Sequence, residues 1–290
     1  MTINKYSTSL DGLTIDDPVK SFFDYCIERE KIRKNRESGK SFPWSDDEIF
    51  QQGRFLNVFR EDDRVSKSII KFAEPLKDNL PMLIQALFFG RWCNRQETLD
   101  QLNFEELNDV NKLFKKLTSL EQWENFNAYP VQNVIWKGNS YTRIETATTL
   151  FSEIKEDLTA IILNSELDVI KATKNINKLF KMENDFPIFM ALIDIAWFRN
   201  DVIPITSQVP TGIGAQPYLD RLEEFLGLDN HQDVANEMIS LQEKYWPNAK
   251  RKFYPIDIEY QSCECRKYFS YVNGTGKFKR LIGRKFDGPS

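Results

Sequence analysis

One histidine, His231, stands among the 290 residues, and that scarcity removes whole classes of chemistry. An HExxH zinc motif, a His-rich metal cluster and any hydrolytic set needing a second imidazole cannot be built. His231 itself lies in Asp-Asn-His-Gln-Asp, the pattern of a polar helix start. Cysteine is scarce too: Cys26, Cys93, Cys263 and Cys265 lack zinc-site spacing, and a disulfide across one intervening residue is strained. Free thiols in a reducing cytoplasm are the expectation, with no metal bound. Long apolar runs are missing. The longest, Phe186 to Phe198, has 13 residues and contains Asp194, too short and too polar to span a bilayer. The N-terminus lacks the basic-then-apolar pattern of a secretory leader. Phosphate loops are absent as well. Gly274-Thr275-Gly276-Lys277 lacks the first Gly of a Walker A loop, and Phe278 stands where Ser or Thr belongs. No GxGxxG follows a strand and no GxSxG elbow occurs, so neither a P-loop kinase nor a Rossmann dehydrogenase is expected.

What the chain does hold is charge, unevenly placed. The net charge of −4 hides a segment from Lys244 to Phe286 with 11 Lys/Arg against three Asp/Glu, a local +8 that leaves −12 for the remainder. Arg29 to Lys40 is a second basic stretch. An acidic body with one basic face is the footprint of a polyanion binder. The periodicity predicts a mainly α chain. Asp17-Pro18 opens a helix that stops at Gly39, and Ser45-Asp46-Asp47-Glu48 reads as a capping box. Asn103 caps a helix carrying Leu107 to Leu117, and further helices are expected near 143–164, 167–181, 187–199, 216–226, 232–245 and 255–272. Residues 128–139 are the least helical. The expected organisation is an N-terminal segment (1–15), one helical domain with room for two lobes (16–272) and a basic arm (273–290) that holds Lys277, Lys279 and Arg280.

Three constellations could carry chemistry. Arg54, Asn57, Arg60, Asp62, Asp63, Arg64 and Lys67 fall within 14 residues, and in a helix interrupted by a turn Arg54, Asn57, Glu61 and Arg64 would share one face. Guanidinium groups beside a carboxylate pair suit an anionic substrate whose leaving group develops charge; a solvated face laced with ion pairs is the competing explanation. Gly212-Ile213-Gly214 resembles the turn of a helix-hairpin-helix, whose amides meet a DNA phosphate, and a plain helix connection fits the same residues. Glu259, Cys263, Arg266 and Lys267 lie near one helical face. Glu259 is there a general base or a surface carboxylate, with Lys267 near phosphate or in a plain Glu–Lys pair. Arg91, ending an apolar helix, must find an anion, either a structural carboxylate or a substrate.

From Phe22 through Arg33, Arg36, Pro43-Trp44 and Arg54 to Val65, then Arg91-x-x-Asn94, Phe126-Asn-Ala-Tyr129, Gly212-x-Gly214, Glu259 and Cys263 to Tyr268, the chain resembles the DNA base hypermodification family. That family joins alpha-glutamyl/putrescinyl thymine pyrophosphorylases with the helical domain found beside 5-hydroxymethyluracil DNA kinases. The resemblance implies a multi-helix DNA glycosylase-like domain with a helix-hairpin-helix-like turn, acting on double-stranded phage DNA with modified thymine in the host cytoplasm. It implies a transferase that joins an amine, from an amino acid or a polyamine, to 5-pyrophosphoryloxymethyluracil with release of pyrophosphate and without a cofactor. Arg54, Asn57, Arg60, Asp62, Asp63, Arg64 and Glu259 would be catalytic; Arg33, Arg36, Trp44, Lys67, Arg91, Asn94, Tyr129 and Lys267 would bind substrate; Gly212, Gly214 and the basic arm would bind DNA. One departure is Tyr260, where the family pattern leads one to expect His after the glutamate. The alternatives are a non-catalytic base-flipping module that assists a 5-hydroxymethyluracil DNA kinase, and a base-excising glycosylase.

Overall fold

A computed structural model describes residues 15–125 and 132–273. In chain order the helices are α1 (Pro18–Glu37), α2 (Glu48–Gln52), α3 (Arg64–Ala73), α4 (Leu80–Cys93), α5 (Gln96–Leu99), α6 (Val110–Ser119), α7 (Arg143–Glu145), α8 (Phe151–Leu163), α9 (Val169–Phe180), α10 (Phe186–Ile195), α11 (Gln216–Leu226), α12 (His231–Tyr245) and α13 (Pro255–Val272). A π turn over Thr146–Leu150 joins α7 to α8. Among the described residues the strands are β1 (Val134–Trp136) and β2 (Asn139–Tyr141), an antiparallel hairpin in the segment expected to be least helical. The mainly α class is as expected. No helix among the described residues is long and apolar enough to cross a membrane.

The chain forms two compact units. One takes residues 1–62 and 209–290, the other Asp63–Gln208. In the first unit α1 brings Phe22, Phe23 and Cys26 against Tyr218 and Leu222 of α11, Met238 of α12 and Ile258 and Cys265 of α13. Pro18 at the helix start and the Asp17 carboxylate, accepting from Lys20 N at 2.8 Å, open α1 as the sequence predicts. Gly39 follows at φ +76°, a left-handed position that suits glycine. The Phe23 ring stacks on Tyr245 of α12 at a centroid distance of 5.2 Å, and the Tyr218 hydroxyl donates to Pro18 O at 2.9 Å. The buried aromatic mass therefore sits where α1 meets the three C-terminal helices.

The second unit is built on α4. From Leu83 to Cys93 every residue is buried, because the helix is enclosed by α3, α8 and α10 rather than lying on a surface. Close approach of α3 needs Gly90, where an added Cβ would stand 3.0 Å from Ile69. Trp92 meets Phe151 edge-on at 4.8 Å. Arg91 lies inside this core: its Nη2 donates to Asp194 Oδ1 at 2.7 Å and to Ser66 Oγ at 3.1 Å, with Asp194 on α10. Each polar group that the sequence left in need of a partner thus satisfies the other.

Three local expectations are corrected. The run from Arg54 to Lys67 is not a helix with a turn inside it. Residues 54–59 are irregular, a 3-10 turn covers Arg60–Asp62, and α3 begins at Arg64 with Asp63 as its N-cap. Arg54, Asn57, Glu61 and Arg64 therefore share no helix face. The cap of α2 is Asp47, not Ser45, whose hydroxyl instead donates to Glu28 at 2.7 Å. Asn103 does form a capping box, but over a 3-10 turn, and α6 starts afresh with its own cap, Asp109.

Truncating Arg91 strands a carboxylate in an apolar core. Arg91→Met should lower unfolding free energy in urea by about 3–5 kcal/mol, and adding Asp194→Leu should recover most of that loss. If the double variant is as unstable as the single, the ion pair is not the origin of the cost.

Candidate functional site

Residues 54–58 lie in no helix or sheet, and side chains of α1 and α13 bond four of their backbone groups. Arg29 donates to Phe55 O at 3.0 Å and to Asn57 Oδ1 at 2.7 Å. Gln261 donates to Asn57 O at 3.0 Å and to Val58 O at 3.1 Å, and Leu56 N donates to Glu264 at 2.9 Å. Asn57, expected to be catalytic, is a buried spacer whose Nδ2 donates to Asp62 O at 2.7 Å. This anchoring delivers Arg60, Glu61 and Asp62 to the N-terminal end of α13.

There the charges are paired. Arg251 reaches Glu61 at 2.6 Å and Asp257 at 2.6 Å, and Lys250 reaches Glu61 at 2.8 Å and Asp62 at 2.6 Å. Arg33, expected to hold substrate, pairs with Glu30 at 2.5 Å, with Glu37, and with Asp62 at 3.6 Å. Burial alone would raise Glu61, but the bonds from Arg251 and Lys250 outweigh it and hold the carboxyl at about 2. Burial raises Asp257, with the Arg251 bond opposing. Sequence reasoning passed over Arg29, Lys250, Arg251 and Gln261. Lys250-Arg251 registered only as part of the basic segment, and no spacing rule links positions some 190 residues apart in the chain.

The second cluster surrounds the turn before α11. Glu259, buried on α13, accepts from Gly212 N at 3.0 Å; Arg266 donates to Gly214 O at 2.7 Å; and a Cβ on Gly214 would lie 2.6 Å from Cys263 Sγ. Thr211 Oγ1 is 2.8 Å from His231 Nδ1, and the opposite ring nitrogen is 2.9 Å from Asp220 Oδ1. His231, read from the sequence as part of a helix start, is indeed the first residue of α12, but its ring also ties this turn to α11. Glu259 is the chemical anomaly. Burial pushes its carboxyl up to about 7, against the Gly212 amide and the field of Arg60, which lower it. Arg60 is itself buried, with its guanidinium carbon 5.8 Å from the Tyr260 ring, the ring at the position where histidine was expected. The Gly212–Gly214 geometry does not show a helix-hairpin-helix: residues 196–215 contain no α-helix, and the Gly212 amide points inward to a carboxylate.

The other expected residues disperse. Arg54 and Arg36 are exposed, and Lys267 pairs with Glu264 at 2.7 Å over the Phe55 ring. Trp44 is held in its loop by Nε1 donating to Lys40 O at 2.7 Å and by Asn35 donating to Trp44 O at 3.0 Å. Asp63, Arg64, Lys67, Arg91 and Asn94 belong to the second unit. Within it Asp63 caps α3, Arg64 faces Glu97 at 3.7 Å, Lys67 is an exposed residue of α3, Arg91 is in the core, and Asn94 ends α4 in the left-handed conformation at φ 45°. Tyr129, Lys277, Lys279 and Arg280 lie outside the described residues.

A family model described as 5-hmdU DNA kinase, helical domain, matches residues 17–276. The chain belongs to this family. The match covers nearly the whole chain and agrees with the resemblance carried by its motifs, so a 5-hmdU DNA kinase helical domain is what folds into these two units. No curated protein and no solved structure matches it.

The raised Glu259 has a signed consequence. A carboxyl titrating at about 7 when folded, against 4.5 ordinarily, contributes stability that is fully present below 4.5 and is lost as pH rises to about 7. Between those pH values the protein should lose about 3 kcal/mol from this group. Glu259→Gln keeps an acceptor for Gly212 N–H and should flatten that slope in denaturant titrations. An unchanged slope would show that Glu259 titrates normally.

Proposed function

We propose that this domain acts on DNA carrying 5-hydroxymethyluracil-derived bases, as a transferase that joins an amine to 5-pyrophosphoryloxymethyluracil. Membership of a DNA kinase helical-domain family supports a place in the modification of such bases. The observation that carries the chemistry is Glu259, a carboxyl poised near neutrality beside a backbone amide and within the field of Arg60. A general base works best when its pKa lies near the operating pH. In the proposed step the amine nitrogen attacks the methylene carbon on C5 of the base. The new C–N bond forms as the C–O bond to pyrophosphate breaks, the amine proton passes to Glu259, and pyrophosphate leaves as an anion stabilised by cationic side chains. The base must leave the stack to be reached, at about a few kcal/mol. Arg36 is exposed, so it is the better choice for a donor's carboxylate than Arg33, which three acidic side chains already engage.

A second role is favoured by one observation. The carboxylates of Glu61 and Asp62 already face Lys250, Arg251 and Arg33, an arrangement that suits a stable scaffold presenting the base to a partner kinase.

DNA bearing the pyrophosphorylated base, offered single amino acids or polyamines, should release pyrophosphate and yield a nucleoside heavier than the 5-hydroxymethyl one by the donor less one water. Glu259→Gln should slow that release by about 10²–10⁴-fold. Survival of the activated base with every donor, together with stimulation of a 5-hmdU DNA kinase, would assign the presenting role instead. Removing the arm after Gly276, with Lys277, Lys279 and Arg280, should reduce the dependence of DNA affinity on salt; an unaltered slope would place the phosphate contacts elsewhere.

A further inference from the structure

We infer that Ile213 is a wedge that enters the base stack of duplex DNA next to the base acted on, an inference that rests on the DNA-directed role above. Ile213 is 88% exposed, while the next most exposed large hydrophobes among the described residues, Leu163 and Phe42, stand at 55% and 54%. A solvent-facing isoleucine on a mobile tip would need no explanation. This tip is held from several sides. Thr211, two residues before it, is fixed by His231, which Asp220 fixes in turn. Gly212 donates to Glu259, Gly214 O accepts from Arg266, and the Gly214 Cα is packed on Cys263. Two further bonds, Ala215 N and Gln216 N to Gly212 O at 3.0 Å each, close the turn onto α11.

The fold therefore presents one apolar side chain on a stiff base, and the chemistry of that projection selects its partner. Cys263 fills the place where a Gly214 side chain would stand, so Ile213 projects alone from a narrow turn. The β-branched isoleucine has few rotamers to lose when it is confined. A protein partner would be expected to grip a cluster of large side chains, and this turn offers a single one between small residues. Arg266, bonded to the carbonyl of Gly214, supplies positive charge beside the projection. An apolar wedge between base steps, next to a cation, is a recurring way of unstacking a duplex.

The test uses the full chain and a duplex with 2-aminopurine beside a 5-hydroxymethyluracil, read by fluorescence on binding and by affinity. Wild type should brighten the probe. Ile213→Ala should lower that brightening about tenfold while keeping the melting temperature, and Ile213→Leu should restore it. If Ile213→Ala brightens the probe like wild type, the wedge is overturned and the DNA-directed role stands. If wild type neither binds the duplex nor brightens the probe, the DNA-directed role falls with it.

Discussion

The hydrogen-bonding demand of one irregular stretch, Arg54 to Val58, organises the first unit. A segment with no helix or sheet partner would bury unsatisfied carbonyls, each at a cost of roughly 1–3 kcal/mol. Arg29 from α1 and Gln261 and Glu264 from α13 remove that cost, and in doing so fix the two helices against the same piece of chain. The position of Arg60 beside Glu259, the pairing of Glu61 and Asp62, and the setting of Lys267 over Phe55 all follow from it. A stretch without a repeating pattern of its own is ordered by side chains from a distance.

Charge in this unit works in two ways. Along the Arg251 seam it is neutralised pair by pair, so the basic segment seen in the sequence is much less basic where it is folded: Lys250, Arg251 and Lys267 each face carboxylates. Around Glu259 the balance is left open, because burial raises the group and only one amide and one cationic field oppose it. The contrast separates carboxylates held by basic partners from Glu259, whose carboxyl burial raises to about 7.

Much of the fold was legible in the sequence because it is governed by local rules. Asp17-Pro18, Gly39 and Asn103 mark chain boundaries through interactions within four residues, and the spacing of apolar residues located the principal helices. The site was less legible. Arg54 to Arg64 looked like a helix face because its charges recur at helical spacing, but the partners that keep it unwound lie in α1 and α13, out of reach of any window. Glu259 could be singled out as a carboxylate on α13, though not as a buried one. His231 signalled only a helix start, since its bonds to Thr211 and Asp220 arise from the packing of α11 on α12.

The division of the chain has a consequence for how the molecule is made. The second unit is one continuous stretch of 146 residues, Asp63 to Gln208, whereas the first is assembled from segments on either side of it. During synthesis α1 emerges with its apolar stripe complete, yet its partners α11, α12 and α13 follow the whole second unit in chain order. The inserted unit can fold while α1 waits, its Phe22 and Phe23 uncovered, and only then does the first unit close. The aromatic surface that makes that unit cohesive is thus also the part of the nascent chain with the longest need of protection.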